Sequence, residues 1–324
     1  MDARAALLLK QVQTLSEAGL GRAVERPAQS VEELLGSVAG RAGVRGVGLY
    51  LATADGILHW RGERLSELVG VSASQLDDAA TGLGARAYAS FDGEGDLVGA
   101  LVLRGEADEL DAVREDLSQH LQAELTQRGY LSAVFALAEA VEEQDEAIAG
   151  HVRRISGYSA VIARAHGCEP EFVRAVQLAS PLHDVGKVAI PSEILFKPGK
   201  LSDAEFDETK RHSAEGAAIL ARGGGAFWAL AAEVAGSHHE RWDGSGYPRG
   251  LSGEAIPLAA RIVAVADVFD ALTTKRIYKP ALGIEQSLNI ISEGSGRHFD
   301  PELVDAFQRS FSEILDVKTR ETSA

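Results

Sequence analysis

The chain has 324 residues, room for one large domain or two ordinary ones, and its 45% hydrophobic and 25% charged residues are the balance of a soluble globular protein. A formal net charge of −16 argues against broad binding of nucleic-acid polymers or anionic membranes, although a metal centre and a few placed cations can reverse the field locally. The single cysteine, Cys168, excludes an intramolecular disulfide and a cysteine metal cluster, and it fits a reducing, cytoplasmic compartment.

The first residues, Met1 to Arg4 and a short Leu run, lack the apolar length and cleavage site of a signal peptide. Nothing downstream approaches the ~18 uninterrupted apolar residues of a membrane span. Residues 5–18 are predicted helical, with Ala5, Leu8, Leu9, Val12 and Leu15 at helical spacing. Ser30 and Glu33 have capping-box spacing and open a second helix. From Val44 the period falls to two: Val47, Leu49 and Leu51 alternate, Ala54-Asp55-Gly56 turns, and Ile57 to Trp60 returns. Arg86 to Phe91 and Leu97 to Leu103 make a second pair around the Gly/Asp turn at 92–96. The first ~105 residues are therefore predicted as α+β with an antiparallel sheet.

Between Ala107 and Ala149 the strands end, and Leu110, Val113, Leu117, Leu121 and Leu125 mark a long amphipathic helix. Its stripe reads either as core packing within one chain or as a parallel signalling helix at a dimer interface. Beyond 150 the pattern is helical, broken by loops at Ile190-Pro191, Lys197-Pro198-Gly199-Lys200 and Gly246-Tyr247-Pro248. Phe172, Val173, Val176 and Ala179 lie on one helical face, and a helix starting at Pro257 carries Asp267 and Asp270.

His238-His239 opens a stretch broken by Gly244 and Gly246, poor material for a core and good material for converging imidazoles. Seven residues from five segments stand out as potential metal ligands: His151, His183, Asp184, His212, His238, His239 and Asp267. A helical bundle builds a dinuclear carboxylate–imidazole site in this way, and one shared carboxylate can bridge two ions. Such ligation without thiolate suits iron, manganese, zinc or cobalt. Any one of these histidines alone is more often structural, and His59, His120 and His166 are read so; His298 reads as a loop-closing residue. The adjacent pairs His183-Asp184 and His238-His239 resist that reading. Glu240, Asp243 and Asp270 are acidic neighbours placed to orient imidazoles.

Leu182-His183-Asp184-Val185-Gly186-Lys187 with Ile190-Pro191 resembles the HD motif of metal-dependent phosphohydrolases, and His238 to Pro248 resembles the signature of their HD-GYP subfamily. Ile194 to Leu201, Ala266 to Thr273 and Phe299-Asp300-Pro301 resemble that family in the same order, so the likeness covers roughly residues 130–312. The resemblance implies an all-α HD-type bundle that hydrolyses cyclic di-GMP to pGpG and, in many members, GMP. It implies a hydroxide held at two divalent ions, iron first and manganese next, with the seven residues as ligands and Asp184 bridging. Lys187 matches the lysine that contacts the scissile phosphate, which makes Asp184 and Lys187 the catalytic pair. Lys187, Tyr247, Arg276 and Lys279 match the substrate-holding positions. Ala147 stands where some members carry a glutamate that recruits a third ion, so two ions are expected. Gln144 and Ile148 replace the arginine and threonine common in the family.

The N-terminal pattern is similar to the end of a GAF-type sensory domain. The expected division is a 1–27 N-terminal helix, a 28–106 GAF-like α/β core, a 107–129 linking helix completing it, and a 130–324 HD-GYP catalytic domain. The N-terminal module reads equally as a ligand sensor or as a dimerisation and packing module. The expected partners are the cyclic di-GMP substrate, a second copy through the linking helix, and other signalling proteins, with no nucleic-acid polymer and no membrane. Two alternatives stand beside this reading. One is hydrolysis of another cyclic dinucleotide, and the other a non-catalytic cyclic di-GMP receptor or protein-interaction module.

Overall fold

Among the described residues, the period-two segments form strands and those of period 3.6 form helices, and the chain divides into two compact units: 27–129, and 1–26 together with 130–324. The computed structural model describes residues 3–17, 44–53, 56–62, 75–82, 85–91, 97–105, 134–139, 141, 149–275 and 281–322. The predicted Ser30 helix, the 107–129 linking helix, Gln144, Ala147, Ile148, Arg276 and Lys279 lie outside the described residues. Among the described residues, no helix is long and apolar enough to cross a membrane.

In the chain, α1 spans Ala3–Glu17 and β1 spans Val44–Thr53. β2 (Gly56–Gly62), α2 (Leu76–Gly82), β3 (Arg86–Phe91) and β4 (Leu97–Gly105) follow. The four strands make one antiparallel sheet in the order β2-β1-β4-β3. Leu51 pairs with Leu58 across the first hairpin, and Ala89 with Ala100 across the second. Leu76 and Ala80, one turn apart on α2, are buried, as is Val102 of β4.

The second unit is helical. It runs through α3 (Ala149–His166), α4 (Pro170–Ala179), the single turn α5 (Ser192–Leu195), α6 (Asp203–Leu220) and α7 (Gly225–Ser237). It ends with α8 (Leu258–Thr273), α9 (Ile284–Glu293), α10 (Pro301–Arg309) and α11 (Phe311–Thr322). Val152, Ile155, Tyr158 and Ile162 bury one face of α3 against α4, α8, α10 and α11. α8 is apolar on nearly every side, with Ile262, Val263, Val265, Ala266 and Phe269 buried, so it runs through the centre of the bundle.

Local signals set the helix starts. Ser202 and Glu205 form a reciprocal capping box at α6, and Asp300 accepts from Glu302 N at 2.9 Å to cap α10 with Pro301 in the first turn. The N-terminal helix α1 packs on the helical unit. Its Leu8 and Val12, one turn apart, join the unit's core, and it touches α6 and the turns at 185–189 and 221–223.

Candidate metal centre

Each of the seven expected ligands sits at a helix or beside a helix end, inside the helical unit. His151 lies in the first turn of α3, His212 on α6 and Asp267 on α8. His238 caps the C-terminus of α7 and His239 follows it. His183 and Asp184 join two 3-10 turns, Ser180–Leu182 and Val185–Ala189. Gly186 makes their approach to α6 possible, because a Cβ there would meet His212 O at 1.9 Å and Gly216 N at 2.5 Å.

The donor atoms fall into two groups. Asp184, His212, His238 and His239 form one, and His151, His183 and Asp267 the other; within each, one atom per residue lies within 4.8 Å of the rest. Asp184 stands between them. Its Oδ1 is 3.2 Å from His212 Nε2 and 3.6 Å from His238 Nε2, while its Oδ2 is 3.4 Å from His183 Nε2. His151 Nε2 lies 3.8 Å from Asp267 Oδ1. His183 and His238 are almost wholly buried, and His151 and His212 nearly so.

Backbone carbonyls decide which nitrogen of each ring carries the proton. His183 Nδ1 lies 2.9 Å from Ser180 O, His212 Nδ1 2.6 Å from Thr209 O, and His238 Nδ1 3.0 Å from Ala235 O. A carbonyl only accepts, so these Nδ1 atoms donate and the Nε2 atoms offer lone pairs. His212 Nε2 and His238 Nε2 face each other at 3.5 Å. Two lone pairs so placed repel, and a cation between imidazoles relieves the repulsion, so the donor set fits a bound metal. Burial pushes the His238 and His239 imidazoles below their ordinary value, which favours the neutral, ligating form. Burial alone would raise the Asp184 carboxyl, but the Lys187 ammonium beside it outweighs burial and holds it well below the usual carboxylate range.

Two expected substrate residues border this centre. Lys187 Nζ is 2.5 Å from Asp184 Oδ2, and the Tyr247 ring lies 4.7 Å from that of His239 at 32°. The loop holding Tyr247 is tied down from within. Glu240, 2% exposed, accepts from Arg249 N at 2.8 Å and Leu251 N at 3.0 Å, while Gly246 closes over His239 O, where a Cβ would stand 2.6 Å away. Trp242 N and Asp243 N donate to His298 O and Arg297 O at 3.1 and 2.9 Å, so the His298 segment closes the loop as expected. Of the three acidic neighbours, only Asp270 reaches an imidazole, with Oδ2 at 2.8 Å from His151 Nδ1. Glu240 organises the loop backbone instead, and Asp243 accepts from Ser245 N and Oγ.

A family model described as the HD domain matches residues 136–303, a stretch containing all seven donors. The chain belongs to the HD domain family. Curated relatives match a little over half of the chain. A cyclic di-GMP phosphodiesterase of Vibrio cholerae serotype O1 is 44% identical over 188 residues, 54% of this chain and 38% of the relative. The cyclic di-GMP phosphodiesterase response regulator RpfG of Xanthomonas campestris pv. campestris is 45% identical over 181 residues, 56% of this chain and 48% of its own. A protein of V. cholerae named 3'3'-cGAMP-specific phosphodiesterase 2 is 43% identical over 185 residues, 57% of this chain and 35% of that one. The chain thus spans less than half the length of each.

Two residues of the HD domain missing from the sequence expectation flank the site. Lys210 on α6 holds its Nζ 4.8 Å from the centre of the Phe206 ring and 5.8 Å from that of Tyr247. Arg154, three residues after His151, is 4% exposed and bound to Asp270. The i,i+3 spacing of His151 with Arg154 was the available signal, but a helical arginine ordinarily reads as part of a solvated face.

Proposed function

We propose that this chain is a metal-dependent phosphodiesterase that hydrolyses cyclic di-GMP to pGpG or GMP. The single observation behind this reading is Asp184, whose two oxygens face different donor groups, as a carboxylate shared by two ions would. The seven donors would hold two divalent ions, iron first and manganese next. When bound, the ions supply Lewis acidity at the phosphoryl oxygens and acidify a water enough to attack near neutral pH. Lys187, beside Asp184, neutralises charge on the scissile phosphate, and Arg276 and Lys279 hold the dinucleotide's other polar groups. Tyr247 packs one face toward His239 and forms a wall for the substrate.

The relatives' names support a cyclic dinucleotide as the substrate class. They also favour a second reading of the same site, since proteins named for cyclic di-GMP and for 3'3'-cGAMP match this chain at 44% and 43% identity. In our proposal the 27–129 unit is a GAF-like sensory module regulating a cytoplasmic enzyme, which dimerises through the linking helix. Hydrolysis of both cyclic dinucleotides by the purified, metal-loaded chain is the test. The proposal expects faster use of cyclic di-GMP, and loss of that activity to background in His183→Ala and Asp184→Ala. Preferential hydrolysis of 3'3'-cGAMP supports the second reading, and full activity in either variant contradicts both.

A further inference from the structure

Backbone carbonyls orient His212 and His238 in the first donor group and His183 in the second, whereas a side chain, Asp270, orients His151. In the first, His212 and His238 lean on carbonyls of their own helices, Thr209 O and Ala235 O. In the second, His151 and Asp267 stand on separate helices, α3 and α8, and must be brought together. Arg154 lies where that is done. Its Nε donates to Asp270 Oδ1 at 2.6 Å and its Nη2 to Asp270 Oδ2 at 3.0 Å, while Nη2 also reaches Thr274 Oγ1 at 3.3 Å. Asp270 Oδ2 accepts the Nδ1–H of His151 at 2.8 Å.

The spacing explains why this fork matters. His151 and Arg154 are three apart on α3, Asp267 and Asp270 three apart on α8, so each pair shares a helix face. Clamping Arg154 to Asp270 fixes the register of the two helices, and the same register sets His151 Nε2 opposite Asp267. The clamp is dry, with Arg154 4% and Asp270 1% exposed, and a planar guanidinium meets a carboxylate at two points as an ammonium cannot. Gly150 leaves the space for it, since a Cβ there would lie 2.3 Å from Arg154 Nη1 and 3.0 Å from Glu321 O.

We propose that Arg154 is a positioning residue for one half of the metal centre: its fork registers α3 against α8 so that His151 and Asp267 converge, and it leaves the Asp184/His212/His238/His239 group untouched. None of those four donors stands on α3 or α8, so loss of Arg154 weakens one ion and spares the other. The inference rests on the two-ion reading above, and the test separates the two.

The full chain is stripped with chelator and titrated anaerobically with Mn(II), with binding followed by calorimetry and by electron paramagnetic resonance. The wild type takes two equivalents and gives the spectrum of an exchange-coupled pair. Arg154→Met keeps one equivalent at wild-type affinity and weakens the second by about 10–100-fold, the usual effect of losing a ligand-orienting partner. The protein with one ion then shows the six-line signal of isolated Mn(II). Arg154→Lys, which keeps the charge and loses the fork, weakens the same single ion to a smaller extent. It carries the decision if the Met variant fails to fold by circular dichroism. Two equivalents at wild-type affinity in the folded variants, or equal weakening of both, overturns the role of Arg154. A wild type that binds no pair overturns the two-ion reading itself.

Discussion

At Gly186 the main chain runs so close to α6 that any Cβ would overlap His212 O. The same contact sets Asp184, two residues earlier, within 3.2 Å of His212 Nε2. Packing and chemistry therefore depend on one missing methyl group. Gly186→Ala is expected to cost about 1–3 kcal/mol through overpacking and to spread Asp184 from His212. Thermal unfolding and metal content measure both, and a wild-type melt with full metal content would show that the approach is not needed. At this scale the sequence was most legible: adjacent His183-Asp184 and His238-His239 announce convergence because imidazole and carboxylate pairs have few structural uses. Arg154 and Glu240 were not legible as buried anchors, because charged side chains are presumed solvated until tertiary packing covers them.

Among the elements, α1 is the one whose location the chain pattern did not reveal. The spacing of Leu8 and Val12 predicts a helix with an apolar face but cannot name the surface that face will meet. In the structure it meets the helical unit, touching α6, which carries His212, and the 185–189 turn, which carries Lys187. The chain thus leaves the helical unit after α1 and returns to it at 130, with the strand-bearing unit between. Replacing Leu8 and Val12 by alanine is expected to destabilise the helical unit by at least ~2 kcal/mol, as large-to-small core changes do. Chemical denaturation followed by circular dichroism measures this; an unchanged midpoint would mean that α1 adds nothing to that core. The hairpins were legible because period-two alternation and Gly/Asp turns are local signals, and the described strands pair as expected.

Over the whole molecule, every proposed ligand lies in one of the two compact units. Ligand binding stabilises only the state that binds it, by about 4 kcal/mol when free metal exceeds Kd a thousandfold. Chelation is therefore expected to lower the unfolding temperature of the helical unit and leave that of the 27–129 unit in place. Differential scanning calorimetry with and without chelator reports this, and an equal shift of both transitions contradicts it. The net charge of −16 makes local cations matter: in our proposal the anionic substrate is held where the two ions, Lys187, Arg276 and Lys279 reverse the field.

The rate of cyclic di-GMP hydrolysis, measured against metal bound per chain as the stripped protein is reloaded anaerobically, tests the account most directly. The two-ion centre predicts negligible turnover up to one equivalent and a rise that is complete at two. Full turnover in the metal-free protein, or a rate that climbs until a third ion is bound, would contradict it.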